Sequence, residues 1–149
     1  MDDRDDAPLT AEDYASVLAA MQALSERYRG GWTLNEALAR WRLVVKEIEA
    51  GFDTHWLWEY HNELVCRDWL CEAWPLLTDR VRAVRQPFLD SMDDRFTAAT
   101  APMRKEGAVL GHHRRGRWWH DRYPRVVTGE TGEELPELWS PAPEYIEDD

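Results

Sequence analysis

Nowhere in these 149 residues do apolar side chains run for the ~20 positions that a membrane-spanning helix needs. The opening stretch, MDDRDDAPL, is acidic and holds no apolar core, which argues against both a signal peptide and a basic transit peptide. Cytoplasmic residence without a membrane role is the expectation. Cysteine is scarce, with Cys66 and Cys71 the only two. Five positions apart in a segment that reads as helical, they point to different faces, so buried reduced thiols are expected rather than a disulfide or a metal pair.

Other absences narrow the function. There is no glycine-rich phosphate loop, no Gly-x-Gly-x-x-Gly and no nucleophile elbow. The Glu-x-x-His motif of di-iron bundles is missing, as are helix-turn-helix, zinc-finger and RNA-recognition signatures. His55, Glu59, Glu63 and Arg67 are spaced by four, but His55 and Glu63 would lie about 12 Å apart along a helix. Metal bonds near 2 Å cannot close that gap, so the row reads as a solvated stripe with a Glu63–Arg67 pair. No enzyme activity, cofactor or metal is predicted.

What is present describes one domain. A hydrophobic fraction of 44% beside a charged fraction of 32% suits a globular chain. Net charge is −11, unevenly placed. Residues 1–9 form an acidic tail expected to be disordered, and 10–100 a four-helix domain. Residues 101–127 carry a net +5 and form a basic aromatic loop and docking segment; residues 128–149 hold eight acids and no Lys or Arg.

Helix starts are legible. Thr10 with Asp13 makes a capping box, Leu9 can staple against Tyr14, and Tyr14, Val17, Leu18, Met21, Leu24 and Tyr28 follow at helical spacing. Thr33 and Glu36 repeat the box before Leu38, Trp41, Val45 and Ile48, and Gly51 ends that run. A third helix is expected from Asp53 or Thr54 to about Ala73. A fourth starts at Thr78 and keeps its stripe through Pro87 (Val81, Val84, Phe88, Met92, Phe96), which predicts a kink rather than an end. The sum is an all-α antiparallel bundle of about four helices, with an irregular C-terminal extension packed over it.

Two groups of residues carry functional interest. In HHRRGRWWHDRY (112–123), Arg114, Arg115, Arg117, Trp118, Trp119, His120, Arg122 and Tyr123 could dock the segment or bind a partner. His112, His113 and His120 offer imidazoles, with no carboxylate or nucleophile fixed beside them in sequence. Stacking on unpaired bases is physically available to these residues, but a strongly anionic remainder opposes a polyanion. We therefore expect burial of Trp118, Trp119, Tyr123 and Val126 against helix three, with arginines pairing to Glu130–Glu137. The second group, Trp56, Trp58, Tyr60, His61 and Trp69, is a candidate aromatic surface or pocket. The leading functional expectation is a small acidic protein that binds a protein partner, such as an immunity or antitoxin protein masking a basic enzyme. The alternatives are a nucleic-acid accessory protein using 112–125 and a small-ligand binder or enzyme along helix three.

Overall fold

Thr10 caps the first helix as its sequence requires. In the computed structural model, which describes residues 8–28, 31–103, 117–129 and 135–146, α1 spans Ala11–Leu24. The Asp13 N–H donates to Thr10 Oγ1, and Thr10 N–H donates back to the Asp13 carboxylate at 2.8 Å. Asp13 also accepts from Thr78 Oγ1 at 2.7 Å, so the starts of two helices are tied through one carboxylate. The Thr10 N–H foremost, then the Thr78 hydroxyl, hold that carboxyl below its ordinary value. Turning Asp13 inward rotates the helix. Tyr14, expected at the head of the buried stripe, is 62% exposed, Leu18 is exposed too, and the buried face is Asp13, Ala20 and Leu24.

α2 (Leu34–Ala50) starts at Thr33, whose Oγ1 accepts from Glu36 N–H at 3.0 Å. Its expected stripe of Leu38, Trp41, Val45 and Ile48 is buried, widened by Leu34, Ala37 and Val44. Gly51 stops it at φ +114°, where a side chain would be strained. β1 (Phe52–Asp53) follows.

The single long third helix is replaced by three pieces. Asp53 caps a 3-10 turn over Thr54–Glu59, a one-turn α3 covers Tyr60–Glu63, and α4 covers Val65–Ala73. The breaks fall at Trp56 (φ −100°, ψ 22°) and Leu64 (φ −85°, ψ −3°). Apolar residues here do not share one face of a straight helix. Breaking it buries Leu57, Tyr60, Leu64 and Trp69 together and leaves Trp56 and Trp58 outside.

Thr78 Oγ1 accepts from Val81 N–H to start α5 (Asp79–Ala99), which runs through Pro87 without ending. α2 is the central rod, packed against both α4 and α5. Trp41 meets Phe96 across the α2–α5 seam at 4.9 Å between ring centres.

The chain is mostly helical, but not all-α. β2 (Thr100–Pro102) pairs antiparallel with β3 (Arg122–Pro124). β4 (Val126–Thr128) lies parallel between β1 and β5 (Glu144–Tyr145). The extension crosses a buried surface, where its backbone N–H and C=O groups need partners, and strand pairing supplies them. Val127, rather than Val126, turns inward. Trp139 lies on this layer, with its ring centre 5.3 Å from Tyr60 and 6.0 Å from Tyr123.

Gly129 leaves β4 at φ +103°, and a Cβ there would lie 2.3 Å from Thr54 Oγ1 and 3.0 Å from Asp53 Oδ1. Both the backbone conformation and the space exclude a side chain. Gly129→Ala is expected to destabilise by more than about 1 kcal/mol, read from the urea midpoint. Among the described residues, no helix is long and apolar enough to cross a membrane.

Candidate functional site

Asp68 and Glu72 lie one turn apart on α4, a helix otherwise rich in Val, Cys, Trp and Leu. Carboxylates on such a helix require donors, and the 3-10 turn Trp118–Asp121 brings them. Trp119 Nε1 donates to Asp68 Oδ1 at 2.7 Å, and His120 Nε2 meets the same oxygen at 2.8 Å. Arg117 reaches Asp68 Oδ2 at 3.4 Å and Glu72 Oε2 at 3.5 Å. Glu72 is also met by the Tyr28 hydroxyl and by Arg27.

A second buried ion pair lies beneath. Arg67, 7% exposed, binds Asp93 of α5 through Nε and Nη2, each at 2.9 Å, and Asp93 Oδ1 also accepts from Trp41 Nε1 at 3.0 Å. The Arg67 guanidinium lies 4.4 Å from the centre of the Trp119 ring, a cation–π contact. Trp119 thus joins two charge clusters. Its neighbour Trp118 is half-buried, 5.9 Å from the Phe96 ring.

The remaining ring nitrogen of His120 faces another imidazole. His120 Nδ1 and His61 Nδ1 are 3.0 Å apart, and the rings are nearly parallel at 23°. Because Asp68 accepts at Nε2, the proton of neutral His120 sits on that nitrogen and its Nδ1 is an acceptor. His61 must then donate from Nδ1. The result is a chain from a buried carboxylate through a buried imidazole to a half-buried one.

The other candidates fall as follows. Arg114, Arg115, His112 and His113 lie outside the described residues, as do Glu130, Glu133 and Glu134. Arg122 donates to Thr100 Oγ1 at 2.8 Å and to the carbonyls of Thr97 and Thr100. Arg117 and Arg122 therefore bind the helical body; no ion pair to the acidic tail is seen among the described residues. Tyr123 is buried, its hydroxyl donating to the Pro141 carbonyl at 2.7 Å, while Tyr60 donates to the Arg122 carbonyl at 2.8 Å.

The five aromatic candidates do not line one pocket. Tyr60 and Trp69 belong to the core, Trp69 with its indole N–H unpartnered, and His61 faces the docked segment. Trp56 and Trp58 face water, 56% and 88% exposed. Trp56 does border an open groove of about 430 Å³, walled by Glu47, Asp53 and Glu63 and floored by Ala50, Gly51 and Phe52. Burial, and then the neighbouring Glu63, push the Glu47 carboxyl above its ordinary value. The expected Glu63–Arg67 pair is absent because the helix breaks at Leu64; Glu63 pairs with Arg40 at 2.5 Å instead.

Among the described residues, no three His, Cys, Asp or Glu side chains gather to hold a metal. Both cysteines are free, and burial pushes the Cys66 thiol up to about 12, which makes it a poor nucleophile. Sequence reading missed Asp68, Glu72 and Asp93. The signal for the first two was there: a pair of acids at i and i+4 within VCRDWLCEAW. No protein-family model, curated protein or solved structure matches the chain.

Proposed function

We propose that this protein works by binding a basic protein partner, in the manner of an immunity or antitoxin protein, through the groove beside Trp56 and the exposed Trp58 two residues further on. The observation that supports the reading is the exposure of two indoles on one short turn next to a groove walled by carboxylates. Tryptophan is enriched among interface residues that dominate binding energy, and large exposed apolar rings gain most from being covered. Glu63 is already paired with Arg40, whereas Glu47 on the same groove has its carboxyl raised chiefly by burial, and a partner's lysine or arginine placed beside it would favour its charged form. A net charge of −11 would steer such a partner in. On this reading the protein is a cytoplasmic binding protein rather than an enzyme.

The nucleic-acid reading is weaker. Arg117, Trp119 and His120 already spend their contacts on α4 and are turned away from solvent. The test is capture from the native host's lysate at low salt, with wild type and the Trp56→Ser/Trp58→Ser variant as baits. A basic protein retained by wild type, lost from the variant and eluted by moderate salt is the expected result. An empty wild-type bait, or equal retention by both, removes the reading.

A further inference from the structure

We propose that the groove between α2 and α5 docks an acidic amphipathic helix of a partner protein. It shares no lining residue with the groove beside Trp56, and the inference is independent of the partner-binding reading.

The sequence of α2 builds one wall. Asn35, Leu38, Ala39, Arg42, Leu43 and Lys46 follow at i, i+3, i+4, i+7, i+8 and i+11. That spacing is one helical face carried through three turns, about 16 Å. α5 adds Arg85 and Phe88, and the groove holds about 460 Å³. Leu43 is 51% exposed, Phe88 is half-buried, and Val84, one turn before Phe88, is exposed as well. Ala39 adds no bulk that would keep another backbone away.

The charge of the groove is opposite to that of the chain. Against a net −11, its lining holds three cations, Arg42, Lys46 and Arg85, and no carboxylate. Among the described residues no ion pair to Arg42 or Lys46 is seen, and Glu49, one turn beyond Lys46, is taken by Arg95. Arg85 donates to Asn35 Oδ1 at 2.7 Å, a neutral partner that does not cancel its charge.

These two properties select the occupant. A polyanion would meet the cations and leave Leu43 and Phe88 wet, while a purely apolar helix would leave the cations without partners. A bilayer is flat and cannot reach into a trough to Leu38, which is 4% exposed. A helix with leucines on one face and glutamates beside them meets both needs, lying along α2 and α5 as a third rod. The chain's own acidic stretches, 1–7, 130–134 and 147–149, lie outside the described residues. Apart from Met1, they carry no large apolar side chain to cover Leu43. The helix therefore comes from a partner.

Fluorescence anisotropy with a labelled designed peptide tests the site. The probe is about 18 residues long, with leucines at i, i+3, i+4 and i+7 spacing and glutamates flanking them. Saturable binding is expected, weakened at least tenfold by Arg42→Glu/Lys46→Glu and unchanged by Trp56→Ser/Trp58→Ser. Arg42 and Lys46 are exposed, so the urea midpoint of the charge-reversed protein should stay close to that of wild type. A peptide with glutamine for every glutamate should bind wild type at least tenfold more weakly, a readout that needs no protein variant. No binding by the glutamate peptide, equal binding by the charge-reversed protein, or equal binding by the glutamine peptide overturns the proposal. So does retention on phosphatidylglycerol vesicles that Arg42→Glu/Lys46→Glu abolishes, which would make this a membrane-binding face.

Discussion

Replacing Trp119 by alanine is expected to cost about 3–5 kcal/mol of stability, the range for removing a large buried aromatic side chain. The indole is 1% exposed, so the volume lost is core volume. It also donates to Asp68 and covers the Arg67 guanidinium, and alanine does neither. Urea denaturation should show the midpoint falling steeply. Trp119→Phe separates the contributions, because it keeps a ring over Arg67 and loses the bond to a carboxylate, typically about 1.5–3 kcal/mol. If Trp119→Ala behaves like a surface substitution, the segment is not docked as described.

Asp93→Ala should be as damaging by a different route. The carboxylate holds both the Arg67 guanidinium and the Trp41 indole N–H, and removing it strands a buried charge and a buried donor together. Breaking one partner of a buried pair typically costs about 3–5 kcal/mol, whereas replacing both by apolar groups is often nearly neutral. Arg67→Met combined with Asp93→Leu should therefore recover much of what Asp93→Ala loses. Glu49→Ala, which breaks the exposed pair with Arg95 on the same seam, should cost far less. Midpoints from urea titrations of these variants check the ordering.

The two effects show what was readable in the sequence. Helix starts were, because Thr10, Thr33 and Thr78 cap through local side-chain bonds that need only neighbours three positions on. The central stripe of α2 was, because one face carries it. The segment 53–73 was not, because its rings satisfy several neighbours and no single helical phase describes them. Strand pairing was also hidden. β1 is two residues long, and its partner in β4 is remote in sequence, so no local pattern records the match. Among the site residues, docking of Trp119 and Tyr123 followed from hydrophobicity. The role of His120 did not, since its partners Asp68 and His61 come from elsewhere in the chain.

The parallel ladder β1–β4–β5 has a kinetic consequence. Helices close through short-range contacts and can form early, but Phe52 must wait for Val127, and Val126 for Glu144, before the ladder exists. Until those long loops close, the edge of β1 is bare backbone beside an apolar cluster. A folding species with that edge open is one that other strands can join. Crowded refolding should therefore lose more material to aggregates than dilute refolding does.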